Sequence, residues 1–261
     1  MLVDYHMHLR DSDERIAHRV DAVEPFVETA ARRGVDEIGF TEHVYYFRQT
    51  RALWDRPYES ERCVYDLDAY VDAVIEAKRR GYPVKVGLEV DHVGKRQDEL
   101  AAVLDPYPWD FLLGSVHNVE GLALDSTPDG GVWAELTVDE VWRRYFDALA
   151  ELASSGHVDV VAHPDLPKIF GRRPEGGVEY PALEGVALEI STNGRYKPVG
   201  ELYPDRAFLE AARLPITLAS DAHVPENVGR DLDQAVDLAR AAGYESVTVF
   251  EGRKARQEPL G

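Results

Sequence analysis

Short apolar runs rich in β-branched and aromatic residues alternate along the chain with longer segments whose apolar residues recur at helical spacing. The short runs are Leu2 to His6, Glu37 to Thr41, Val84 to Val90, Phe111 to Val116, Val158 to His163, Val186 to Ile190 and Ile216 to Ser220, with a weaker one at Val247 to Phe250. Near-continuous apolarity suits parallel strands covered on both faces, because neither face then needs polar residues. Between them, Ala22 to Arg33 sets Val23, Phe26, Val27 and Ala30 on one face and stops at Gly34. Leu67 to Arg80 repeats the device with Tyr70, Val71, Val74 and Ile75, and stops at Gly81. Glycine just past the last turn supplies the left-handed residue that ends many helices. Val138 to Ser154 follows Thr137, with Glu140 at capping-box spacing, and Leu232 to Ala242 ends at Gly243. Strand and helix in such alternation predict an α/β fold on a parallel sheet. Val44 to Asp66 and Asn118 to Leu136 break the rhythm, each after a strand that leads into a histidine. Long loops in compact domains are usually functional, so both are read as substrate-site loops and residues 1–261 as one domain.

Composition narrows the partners. With 48 acidic against 29 basic residues the net charge is −19, which weighs against a nucleic-acid surface or a polybasic membrane patch. A single cysteine, Cys63, excludes a disulfide scaffold. The start Met1-Leu2-Val3-Asp4-Tyr5-His6 interrupts any secretory apolar stretch with charge, and no run is long enough to span a bilayer. The expected compartment is the cytoplasm.

The chemistry gathers at the C-terminal ends of the predicted strands. They carry, in turn, His6-Met7-His8, Glu42-His43, Glu89, Ser115-Val116-His117, His163 and Ser220-Asp221-Ala222-His223, while the sixth strand leads into Thr192-Asn193-Gly194-Arg195. In a (β/α) barrel such ends converge on one face, where active sites lie. Side chains two apart on a strand point the same way, so His6 and His8 can grip one ion. Taken singly these residues are weak signals: an H-x-H pair can be incidental, Glu89 can face solvent, and Asp221 can cap a helix. Six of the nine histidines at strand ends are better explained by one polynuclear metal site. Imidazole with carboxylate suits zinc, manganese or iron. His92 can line the site or belong to a loop, with neither preferred; His157 is read as lying on the opposite face, and His18 as a substrate contact or, in preference, part of a solvated face.

These residues resemble the PHP (polymerase and histidinol phosphatase) superfamily, and within it the histidinol-phosphate phosphatases. The motifs that carry the resemblance are Asp4 to His8, Gly114 to His117, Ala162 to Leu166 with Lys168 to Gly171, Glu189 to Pro198, Gly200 to Pro204 and Ser220 to His223. The resemblance implies a distorted seven-stranded (β/α) barrel and two or three divalent metal ions. The first would be held by His6, His8, Glu89 and Asp221, and the second by Glu89 as a bridge with His117 and His163. The third would take His43, His223 and one of Asp11, Asp13 or Glu14, of which Asp13 is favoured. There the sequence departs from the family, which often has histidine, and Glu42 replaces a commoner aspartate.

Cations a few ångströms apart acidify a bridging water and clamp a phosphoryl oxygen, so the expected reaction is hydroxide attack on a phosphate monoester. Arginine or lysine should neutralise the remaining oxygens, with Arg195 first and Lys168, Arg172 and Lys197 behind it. The resemblance makes L-histidinol phosphate the expected substrate. Its ammonium and imidazole call for an acidic residue, for which the loop from Val44 to Asp66 offers Asp55, Glu59 and Glu61. Alternatives are another phosphate ester on the same fold, a PHP domain whose metals are structural, and an amidohydrolase, whose usual bridging lysine is missing from these strand ends.

Overall fold

Residues 1–9 and 17–261 are described by the computed structural model, and strand–helix alternation runs through them. The first half contains β1 (Val3–Asp4), α1 (Val20–Arg32), β2 (Glu37–Phe40), α2 (Pro57–Ser60), α3 (Leu67–Arg79), β3 (Val84–Val86), β4 (Glu89–Asp91) and α4 (Gln97–Leu104). The second half contains β5 (Leu113–Ser115), β6 (Asn118–Val119), β7 (Leu122–Ala123), α5 (Val132–Glu135), α6 (Val138–Ser154), β8 (Val160–Val161), β9 (Ala187–Ser191), α7 (Arg206–Ala212), β10 (Ile216–Ala219), α8 (Leu232–Ala241), β11 (Ser246–Glu251) and β12 (Lys254–Pro259).

Two parallel sheets carry the site, one in the order β1-β2-β3 and one in the order β10-β9-β8-β5-β4. Backbone bonds link their margins. Tyr5 N donates to Leu218 O at 2.9 Å and Ala222 N to His6 O at 3.2 Å on one side, while Glu89 N donates to Glu42 O at 3.0 Å on the other. The expected strand Val84 to Val90 is divided at Gly87 and Leu88, and packing explains why. A Cβ on Gly87 would lie 2.8 Å from the Phe111 ring, and one on Gly39 equally close. The ring fills the space those glycines leave and stacks on Tyr5 with centroids 5.0 Å apart. Backbone approach therefore overrides strand continuity there.

α6 forms as its pattern predicts. Thr137 and Glu140 close a reciprocal capping box, and Val141, Trp142, Tyr145, Phe146, Leu149 and Leu152 are buried. α4 and α7 are short and were not legible as helices. The loop from Val44 to Asp66 contains two 3-10 turns and α2, and Asn118 to Leu136 contains the hairpin β6–β7 and α5. The weak run near the C-terminus is half of an antiparallel hairpin, Ser246 opposite Pro259. Its partner β12 is polar and mostly exposed, so apolar periodicity could not announce it. Among the described residues, no helix is long and apolar enough to cross a membrane.

Candidate metal centre

Glu89, the first residue of β4, stands fully buried at the middle of the site. Its Oε2 lies 2.5 Å from His43 Nδ1, 3.6 Å from His6 Nε2 and 3.8 Å from His8 Nε2. Its Oε1 lies 3.4 Å from both His117 Nε2 and His163 Nε2. Asp221 Oδ1 stands 3.6 Å from His6 Nε2 and 3.5 Å from both His8 Nε2 and His223 Nδ1. Eight residues expected from the sequence, His6, His8, His43, Glu89, His117, His163, Asp221 and His223, are thus brought together from six strand ends. Asp13, with its alternatives Asp11 and Glu14, lies outside the described residues.

Potential ligand atoms fall into groups within 4.8 Å of one another: His6, His8 and Asp221; Glu89, His117 and His163; His8, His43 and His223; and His43, Asp91 and His117. Several of these atoms, including His6 Nε2 and both ring nitrogens of His8, are buried without a hydrogen bond among the described residues, and His43 Nδ1 and Glu89 Oε2 face each other at 2.5 Å outside hydrogen-bonding geometry. Buried polar atoms normally find partners, so a cluster of orphaned nitrogens and oxygens facing one another fits cation ligation. Backbone geometry agrees. His163 and Asp221 adopt positive φ of 28° and 50°, strained values that tend to persist at functional sites.

A second layer of polar groups orients the first; Glu42 and Asn193 in it stand at expected strand ends, whereas Glu189 and Asp91 had no assigned place in the site. Glu189 Oε2 lies 2.7 Å from His6 Nδ1, while its Oε1 accepts from His163 N at 3.0 Å. Asp91 Oδ1 lies 2.7 Å from His117 Nδ1, and Asn193 Nδ2 donates to Asp221 Oδ2 at 2.5 Å. Glu42 reaches to 3.6 Å from His8 Nδ1, with His18 Nε2 3.5 Å from its other oxygen. The expected solvated place for His18 is therefore corrected: its ring is buried against Phe47, Tyr65 and Tyr70. Such partners fix the tautomer and direction of a ligating imidazole. A signal was present for Asp91, which shares the inward face of β4 with Glu89 by the period of two.

The pKa shifts express one demand for positive charge. Burial opposes ionisation of Glu89 and Asp221, yet the surrounding histidines hold both well below the ordinary carboxylate range. Burial alone would depress His8, but Asp221 and Glu42 outweigh it and raise the imidazole to about 9. His117 rises to about 10 because Glu89 and Asp91 outweigh its burial. His223 goes the other way, to about 4, from burial reinforced by His8.

The cluster opens into a cavity of about 200 Å³ whose wall also includes Asp125, Asn193, Lys197 and Tyr203. Of the expected cationic residues, only Lys197 lines it. Arg195 turns to Asp231 at 3.3 Å and to Gln234, and Arg172 to Asp129 at 3.0 Å. Lys168 is buried, its Nζ 2.8 Å from Asp165 and 2.6 Å from Asp205. A larger cavity of about 750 Å³ beside Asn118 takes Asp55 and Glu59 into its wall, and Glu61 is exposed. The expected loop acids therefore do not line the smaller cavity, and Asp125 does.

Comparison with known proteins bears on the family and the fold. The PHP domain family matches residues 4–194. A protein of Deinococcus radiodurans named probable histidinol-phosphatase is 30% identical over 97% of this chain and 98% of its own. The structure of a Lactococcus lactis histidinol phosphate phosphatase, complexed with zinc, L-histidinol and phosphate, superposes with a TM-score of 0.67 at 21% identity over 98% of both chains. A Listeria monocytogenes protein described as a histidinol phosphatase superposes at 0.69 with 19% identity, over 89% of this chain and 99% of its own.

Proposed function

Because the chain belongs to the PHP domain family, we propose that it is a metal-dependent phosphomonoesterase that hydrolyses L-histidinol phosphate to L-histidinol and phosphate. The observation that carries this reading is Glu89, whose two oxygens face five histidines from four strand ends. Two or three divalent cations, zinc, manganese or iron, are held there. His6, His8, Glu89 and Asp221 serve one ion and Glu89, His117 and His163 another, with His43 and His223 supplying a third together with a residue such as Asp13. Cations so held supply positive charge to phosphoryl oxygens and acidify water. The chain's own residues do the rest: Glu189, Asp91 and Glu42 point the imidazoles, and Lys197 offers charge to the phosphate. Asp125 is placed to meet the substrate's ammonium. The two linked parallel sheets are read as the distorted seven-stranded (β/α) barrel of a single domain, working in the cytoplasm.

Phosphate release from L-histidinol phosphate, beside a panel of phosphomonoesters and a phosphodiester, tests the proposal after loading with each metal. Preference for histidinol phosphate by about a hundredfold in kcat/KM is expected. Flat, slow hydrolysis of all monoesters would discard the substrate, and no turnover by metal-loaded protein would discard the reaction. Asp125→Asn is expected to raise KM for histidinol phosphate severalfold, since an exposed charge pair is worth under about 1 kcal/mol. It should leave phenyl phosphate, which lacks the ammonium, unchanged; equal effects on both substrates would remove Asp125 from that role.

Protons and cations compete for the same imidazoles, so stability should depend on pH with opposite signs in the two forms. In the metal-free protein, His8 and His117 bind protons more tightly than their ordinary value of 6.5. Their contribution is complete below about pH 6.5 and is lost as pH rises through about 9 to 10. His223, depressed to about 4, contributes above 6.5 and loses that contribution as pH falls through 4. Ligation requires unprotonated imidazoles, so metal-loaded protein should gain stability across the interval in which metal-free protein loses it. Melting temperatures with chelator and with zinc at pH 6.5, 8 and 9.5 should therefore diverge as pH rises; parallel curves would contradict ligation by these histidines.

A further inference from the structure

We propose that the Tyr203 hydroxyl donates a hydrogen bond to a phosphoryl oxygen of the substrate and of the phosphate product, which makes Tyr203 a phosphate-binding residue of this site. The inference rests on the reading of the chain as a phosphomonoesterase and adds a residue to it. Tyr203 forms part of the wall of the metal-site cavity, its ring centroid 6.3 Å from that of His163. Only 2% of the residue is exposed, and its hydroxyl has no hydrogen-bond partner among the described residues. A buried hydroxyl left without an acceptor is unfavourable, so its persistence calls for an explanation.

The ring cannot swing away to find another partner. Tyr203 is tied to the end of β9 by two backbone bonds, Ser191 N to Tyr203 O at 2.7 Å and Tyr203 N to Ser191 O at 3.0 Å. Gly194 lies flat against one edge of the ring, where a Cβ would come within 2.8 Å of Tyr203 Cε2. Lys168 Nζ, anchored by Asp165 and Asp205, stands 5.4 Å from the ring centroid. These contacts give Lys168 a use other than gripping phosphate, since they place its charge against the aromatic ring.

The chemistry of the cavity narrows what the hydroxyl serves. Its other described walls are metal-ligand candidates, the carboxylate of Asp125, the amide of Asn193, apolar side chains and, as the one cation among the described residues, Lys197. Arg195 and Lys168 are engaged elsewhere, so among the described residues a neutral donor is what remains beside Lys197 to share the oxygens of a phosphate dianion. A phenol offers one proton and, unlike an ammonium, brings no charge that would repel nearby cations.

Tyr203→Phe removes that one atom and keeps the ring, so it tests the idea with little risk to the fold. In metal-loaded full-length protein, kcat/KM for both histidinol phosphate and phenyl phosphate should fall about 10- to 100-fold. The inhibition constant for inorganic phosphate should rise in proportion, and the rise in melting temperature on adding phosphate should shrink. Metal content should stay the same, and the phosphate-free melting temperature should hold or increase, because an unpaired buried hydroxyl has been removed. Unchanged phosphate inhibition would overturn the proposal. Loss of metal in the variant would also overturn it, by making Tyr203 a support for the ligands. If the parent protein fails on histidinol phosphate but binds phosphate in a Tyr203-dependent way, the substrate reading falls and this one stands.

Discussion

Replacing Glu89 with Gln is expected to lower kcat/KM for the phosphate ester by about a thousandfold or more, roughly 4 kcal/mol of transition-state stabilisation. The change keeps size and shape but removes the charge and turns one of two acceptor oxygens into a donor. Among the described residues, no other has its two oxygens within 4 Å of ring nitrogens from His6, His8, His43, His117 and His163. Burial makes the loss harder to absorb, because Glu89 is fully shielded and water cannot stand in for the missing charge. Metal stoichiometry, measured by elemental analysis after dialysis, should fall with activity, while an unrelated carboxylate change such as Glu99→Gln on the exposed face of α4 should alter neither. A Glu89→Gln protein that keeps its full metal content and more than a tenth of parental activity would remove Glu89 from the bridging position.

That Glu89 and its histidines are legible in the sequence follows from how α/β folds on parallel strands are built. Strand ends announce themselves locally, because an apolar run stops and a polar residue begins, and the topology then gathers those ends on one face. His6, His117 and Asp221 were legible for this reason. Residues that act one step behind were not. Glu189 sits inside the apolar run Ala187 to Ser191, where its charge looks like an exception to a buried strand rather than part of a site. Arg195 illustrates the opposite error. Its place after β9 suggested phosphate, but Asp231 and Gln234 are nearer in space and take its donors. Lys168 similarly follows a motif histidine, yet Asp165 three residues before it and Asp205, distant in sequence, claim it. Charge type and strand position point to a site; which carboxylate captures which cation depends on loops whose path no local pattern reveals. The same limit hid β12, a solvent-facing strand whose pairing depends on the hairpin and not on apolar period.

Glu189 also yields the second large expected effect. Its two oxygens serve two donors at once, the Nδ1 of His6 at 2.7 Å and the backbone N–H of His163 at 3.0 Å. Holding His6 with Nε2 free toward Glu89 and Asp221 requires the proton on Nδ1, so both partners of Glu189 donate and both of its oxygens must accept. A carboxylate meets that demand; a carboxamide of the same shape cannot, because its NH₂ must face one of the two donors. Glu189→Gln should therefore either break the His163 bond or turn the His6 ring, and a mismatched buried pair is worth about 1–3 kcal/mol. Metal affinity should drop by about 10- to 100-fold, the usual range when an orienting partner of a ligating histidine is lost, and activity at limiting metal should drop with it. Excess zinc should restore much of the activity of this variant but little of that of Glu89→Gln, since Glu189 orients a ligand and Glu89 is proposed to be one. Titration of the two metal-free variants with zinc, followed by phosphate release, separates them. Equal recovery of both, or unaltered zinc affinity in Glu189→Gln, would show that His6 is held in place by its strand alone.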